Sequence, residues 1–252
     1  MFDTGGVVVP ASLQELQNRT RPLVLAREHT LPVLDALGSL FVDGALTRGS
    51  AVGVSGIGAT SLGLALAAGA SRSGSWVAVV GLADLGLGAA REAGLVLERL
   101  VLVEAPPPGR WAEVIAALVD GIDVILVDGR APLSPSEGRR LATRVRERGS
   151  VLIPITQGSQ ATRSRVGAWA VDLTLAVRTG RWNGLGQGHG HLRGRISRVE
   201  AEGRGKAARM RSCELWLPSV DGSVATRTHP TTDATVVVLR PDRHASPDDD
   251  DA

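Results

Sequence analysis

The sequence predicts an α/β protein: a mostly parallel central sheet with helices on both faces, extended on one side by antiparallel strands. Three observations predict it. Between residues 51 and 155 short uninterrupted apolar runs alternate with helical segments, the pattern of strands buried on both faces by crossover helices. Beyond residue 157 the pattern changes: "WAVDLTLAV" sets Trp169, Val171, Leu173, Leu175 and Val177 on one face at a period of two. Finally, 252 residues with 43% hydrophobic content suffice for one substantial core with modest appendages.

Taken in order, residues 11–28 read as a short polar helix carrying Leu13 and Leu16, too short to be stable alone. Residues 1–30 are therefore set apart as an N-terminal helical segment, and 31–218 as the core. A glycine-marked turn at Asp43-Gly44 precedes the first central strand. Strands are expected at 51–54, 76–80, 100–103, 124–128 and 151–155, with helices at 60–70, 88–93, 111–119 and 135–148 between them. Strand-like runs at 192–199 and 207–217 supply the antiparallel extension. Trp76, Trp111 and Trp169 fall within elements and are expected in the core, Trp182 and Trp216 at the surface. Residues 219–252, rich in Thr, Pro and Asp and closing on "SPDDDDA", read as a disordered acidic tail. Within it "ATVVVLRP", 234–241, has the character of an edge strand or of a strand offered to a partner.

Composition narrows the function classes. A net charge of +2 does not by its sum mark a nucleic-acid binder. Lys206 is the sole lysine, and the arginine excess accompanies an Ala, Gly and Val richness typical of GC-rich bacterial coding, so it is weak evidence for phosphate recognition. Cys213 stands alone, which excludes an intrachain disulfide framework and a cysteine-based zinc site, and a cytoplasmic setting is expected. The start "MFDTGGVVVPASLQ" has no secretory-signal pattern. Residues 49–71 carry no charge, but their glycines, serines and threonine make them a poor membrane span, and no membrane association is expected.

The stretch "AVGVSGIGATSLGLAL" reads as a phosphate-binding loop with one residue changed. In G-x-x-x-x-G-K-[ST] the glycines let backbone N–H groups converge on phosphate, the following helix adds its positive end, and the hydroxyl reaches magnesium. Gly53, Gly58 and Thr60 match, Gly56 and Ser61 add to the set, and Ala59 replaces the lysine. Loss of one charge-assisted hydrogen bond weakens phosphate binding by roughly ten- to a hundredfold without abolishing it. An arginine can substitute electrostatically, although sequence alone does not position one. "DVILVD" places Asp128 at the tip of a central strand, where an acid holds magnesium through water. After "WVAVV" comes Gly81 instead of an acid able to orient water, with Asp84 the nearest carboxylate.

These residues resemble the RecA recombinase core. "LDALGSLFVDGALTRGSAVGVSGIGATSLGLALAAGA", "DVILVD" and "VLIPITQ" are similar to its altered phosphate loop, its acid-bearing strand and the strand ending in a sensor glutamine, here Gln157. The resemblance covers about 31–217 and implies a RecA-like P-loop NTPase core. The spaces for the two DNA-binding loops are short, and RecA's large C-terminal domain has no counterpart. A shortened core lacking the lysine and the acid resembles the ImuA type in its high-GC branch. That implies a non-catalytic accessory factor in DNA-damage-induced translesion synthesis, acting at the nucleoid. The implied partners are an ImuB-like inactive polymerase relative, RecA, indirectly an error-prone C-family polymerase, and DNA. Self-association is a further option, because the N-terminal segment of such proteins docks on a neighbouring protomer. No cofactor is implied beyond weak ATP and magnesium binding. Two alternatives stay open: a DNA-dependent ATPase of the recombinase type, and a regulator that binds nucleotide without hydrolysing it.

Other residues are candidates for DNA or partner contact. Arg140, Arg144 and Arg148 form an i, i+4, i+8 stripe, which is also the pattern of a solvated helix face. Arg163 and Arg165 lie in the shortened loop. Arg181 and Trp182 belong to "RTGRWNGLGQGHGHLRGR", which joins Trp182 with Arg178, Arg181, Arg193 and Arg195 in an Arg-Gly segment whose aromatic can stack on single-stranded bases, or a plain hairpin tip. His189 and His191 lack further ligands nearby, so no metal site is predicted.

Overall fold

The computed structural model describes residues 29–158, 168–185, 189–203 and 207–227. The 11–28 helix, Arg163, Arg165, Lys206 and the 234–241 segment lie outside the described residues.

A small antiparallel pair, β1 (Thr30–Pro32) and β2 (Ala45–Thr47), leads into the central sheet. The alternating pattern then resolves into β3 (Val52–Gly56), α1 (Ala59–Arg72), β4 (Val77–Val80), α2 (Leu87–Glu92), β5 (Leu100–Val103), α3 (Trp111–Val119), β6 (Val124–Asp128), α4 (Pro135–Arg148) and β7 (Val151–Gln157). β8 (Leu173–Leu185), β9 (Gly190–Gly203), β10 (Arg211–Trp216) and β11 (Ala225–Thr226) follow. Among the described residues these strands form one nine-stranded sheet in the order β11-β10-β9-β8-β3-β7-β6-β4-β5.

Alternation along each strand feeds two cores, because successive side chains point to opposite faces. Val124 and Leu126 of β6, with Val151, Ile153 and Ile155 of β7, pack with α1 on one face. Ile125, Val127 and Leu152 pack with Trp111 and Ile115 of α3 and with Leu141 and Val145 of α4 on the other. Both faces are thus covered by helices, as expected of a sheet joined by crossovers.

Four expectations are corrected. The antiparallel extension begins one strand later than expected: β8 runs parallel to β3, and direction reverses only at the β8–β9 hairpin. The period of two also breaks at Asp172, whose carboxylate accepts from the Ala51 N–H at 2.9 Å. Trp169 packs with the α3–α4 core, donating from Nε1 to the Gly129 carbonyl at 3.1 Å, whereas Leu173, Leu175 and Val177 belong to the α1 core. Trp76, expected inside, is 43% exposed and precedes β4. The tail does not begin at 219. Asp221 Oδ1 accepts from Ser219 Oγ, the Ser223 N–H and Ser223 Oγ, a polar turn that returns the chain so that β11 pairs with β10. Its polar residues mark a turn rather than disorder.

Candidate functional site

The carboxyl tips of β3, β7 and β6 lie side by side, the edge at which open α/β sheets place their ligands. Gly56 ends β3 opposite Gln157 on β7, and Asp128 ends β6 opposite Ile155 on β7. The altered loop, the acid and the glutamine predicted from sequence are therefore brought to one edge.

The turn from β3 to α1 needs two left-handed residues. Gly56 has φ 109° and Gly58, the N-cap of α1, has φ 90°. At Gly56 a side chain is also barred by the neighbouring strand, since a Cβ would lie 2.3 Å from the Val177 carbonyl oxygen. Gly53 sits buried within β3, paired to Thr174 of β8. Ala59, the first helical residue, is fully buried. Thr60 and Ser61 are half-buried on the first turn, and Thr60 Oγ1 accepts from Gln157 Nε2 at 2.6 Å. The hydroxyl and the glutamine meet directly.

Asp128 is engaged elsewhere. Its Oδ1 accepts from the Arg130 backbone N–H at 2.9 Å and from Arg130 Nε at 3.1 Å, and its Oδ2 from Arg130 Nη2 at 3.1 Å. The fork holds Arg130 above the ordinary arginine pKa, first through the hydrogen bonds it donates to Asp128, with a smaller contribution from Asp84. A carboxylate gripped in this way meets a cation less readily than a bare one.

Gly81, which follows β4 at the place of the acid sought in the sequence, has a steric cause. Gly81 has φ 73°, and a Cβ there would lie 2.4 Å from Cη2 of Trp111, the buried tryptophan that opens α3. The packing of Trp111 therefore demands glycine at the end of β4.

The sequence offers Arg195 only as one of four arginines in the Arg-Gly segment, with nothing to place it at the loop. It lies on β9 opposite Trp182 of β8, is 5% exposed, and carries its guanidinium to the loop. Nη2 is the atom nearest to where a Gly58 side chain would begin, at 1.7 Å. Nε donates to the Leu217 carbonyl at 2.9 Å, and the Trp182 ring centroid stands 5.6 Å from Cζ. Nη2 is buried with no hydrogen-bond partner, and burial lowers the group's pKa. The hairpin register pairing Trp182 with Arg195 is the signal that brings this residue into view.

The other candidates disperse. Arg144 donates through Nε and Nη2 to Asp120 at the end of α3, and Arg148 Nε stands 3.0 Å from the same carboxylate. These two arginines tie α4 to α3, and Arg140 lies near Glu137 on the same helix. Arg181 is exposed and Trp182 37% exposed on β8. His189 and His191 join no group of three or more metal-ligating side chains among the described residues. Nor is any helix there long and apolar enough to cross a membrane.

A family model described as the MT3502 N-terminal domain matches residues 39–160. The matched span contains the loop, Asp128 and Gln157 but stops before β8 and β9. No curated protein matches the chain.

Proposed function

We propose that the protein is a RecA-like accessory factor of the ImuA type. In this reading it links an ImuB-like partner and an error-prone polymerase with RecA or DNA during translesion synthesis, at the nucleoid, and does not itself hydrolyse nucleotide. One observation carries the non-catalytic part of the reading: the loop, Asp128 and Gln157 stand together, but position 59 carries no cation, position 81 no acid, and Asp128 is engaged by an arginine. Ala59 offers no cation, Gly81 beneath Trp111 leaves no room for an acid, and Asp128 is held by Arg130. Phosphoryl transfer also depends on an oriented water and a free magnesium-holding carboxylate, so a site with no acid at 81 and with Asp128 engaged by Arg130 lacks those two means of stabilising its transition state, whatever cation reaches the loop. The strand neighbours β3, β7 and β6 keep the loop, Gln157 and Asp128 in register, which favours a RecA-like ancestry over an unrelated glycine turn.

The test is co-purification of an ImuB-like partner with the full chain and with a chain ending at Arg227, alongside ATP hydrolysis with and without single-stranded DNA. The expected result is a stable complex and no turnover above background. Robust DNA-dependent turnover that disappears in Asp128→Ala would sink the adaptor reading. So would failure of the folded full chain to bind the partner.

A further inference from the structure

A guanidinium taken out of water needs a counter-charge or a full set of acceptors. Arg178, an exposed neighbour of the loop on β8, pairs with Glu200 at 2.8 Å. Arg195 has no carboxylate against it among the described residues and leaves Nη2 unpaired at 5% exposure. It is also held in place: Nε is fixed to the Leu217 carbonyl, Trp182 covers one side, and Gly180 gives it room, since a Cβ there would lie 3.2 Å from Cδ. The chain thus desolvates a cation and aims it at the glycine loop that opens the N-terminus of the 14-residue α1.

We propose that Arg195 replaces, from across the sheet, the cation absent at position 59, and that together with the loop it binds the phosphate group of a small phosphorylated ligand. The N–H groups at a helix start and a guanidinium are complementary donors to the same oxyanion. A cavity of about 200 Å³ lies on the β8 side of the loop, and its lining includes Ser55, Gly56, Ile57, Arg178, Trp182 and Arg195. It is smaller than the roughly 300–1,000 Å³ of pockets that enclose a whole drug-sized molecule, so it suits a phosphate or diphosphate group whose remaining moiety stays outside. The inference concerns binding alone and does not rest on the adaptor reading: a protein with no turnover and no ImuB-like partner can still hold phosphate here.

Calorimetric titration of the full chain with inorganic phosphate, pyrophosphate, ADP, and a single-stranded oligonucleotide with or without a 5′-phosphate tests the site. Saturable binding of phosphate or pyrophosphate is expected, with affinity reduced about ten- to a hundredfold in Arg195→Met and less in Arg195→Lys, the size of one lost charge-assisted bond. ADP binding would show that the phosphate belongs to a nucleotide; preference for the 5′-phosphorylated oligonucleotide would assign it to a strand end. Should Arg195→Met fail to fold, the Nε–H resonance of Arg195 in the wild-type chain, assigned through Arg195→Lys, is expected to shift as pyrophosphate is added. No saturable binding of any phosphate, equal affinity in folded Arg195→Met, an unmoved Nε–H resonance, or binding only to oligonucleotide regardless of its 5′ end each overturns the proposal.

Discussion

Replacing Gly56 with alanine tests whether the loop is held by the close approach of β8. The residue has φ 109°, and its new Cβ would sit 2.3 Å from the Val177 carbonyl oxygen and 3.2 Å from the Val177 nitrogen. A non-glycine residue in that backbone region costs about 1–3 kcal/mol, and forcing a methyl into a packed site costs about 1–3 kcal/mol more. The obstacle is backbone in a paired strand, which cannot swing aside as a side chain can. The sum, about 2–6 kcal/mol, corresponds to a fall in Tm of about 5–20 °C for a domain of this size. Gly44→Ala is the matched control, because Gly44 has φ 67° and nothing within 4 Å of its Cβ position. Thermal and urea unfolding followed by circular dichroism compares the two. If Gly56→Ala loses no more stability than Gly44→Ala, crowding by β8 is not what fixes glycine at the loop.

Three further outcomes follow from local geometry. Ser134→Ala removes the reciprocal cap at the start of α4, where Ser134 Oγ accepts from the Glu137 N–H and Glu137 Oε2 from the Ser134 N–H, and is expected to cost about 1 kcal/mol by urea unfolding. Asp120→Asn tests the α3–α4 tie. Asp120 titrates below its ordinary value of 3.8, chiefly through the hydrogen bond from Arg144. Its contribution is therefore present above that value and lost as pH falls through the lowered pKa, so the Tm gap between wild type and Asp120→Asn should exist at neutral pH and close in acid. Burial pushes the Cys213 thiol up to about 11. Thiol-disulfide reagents at pH 8 should therefore modify it slowly in the folded protein and rapidly in denaturant, with fast native labelling contradicting its burial.

What could be read in the sequence was what local pattern encodes. The strand, loop and helix around Gly53 to Ser61, and the strand ends at Asp128 and Gln157, follow from apolar runs closed by polar residues. Strand neighbours could not be read, because β8 and β9 approach the loop from more than a hundred residues away. Arg195 consequently looked like one arginine among several in a glycine-rich segment. The Asp128–Arg130 pair lay within three residues of sequence, yet its formation depends on the turn after β6. The Asp120 carboxylate that collects Arg144 and Arg148 is visible only once α3 packs on α4. Polar composition also misled at 219–227, since the same residues that favour disorder make the Asp221 turn.

The glycines deserve different weight once their neighbours are known. Gly56 is required by the Val177 carbonyl, Gly81 by Trp111, and Gly58 by the Arg195 guanidinium. Packing accounts for the first two with no ligand at all. The third glycine differs in kind, because the group it makes room for is charged, buried and short of acceptors. Packing explains why Gly58 must stay small once Arg195 is there, but gives no reason for a cation rather than an apolar side chain to fill the space. An oxyanion supplies that reason, and exchanging the charge at 195 while keeping its length distinguishes a filler from a ligand-binding group.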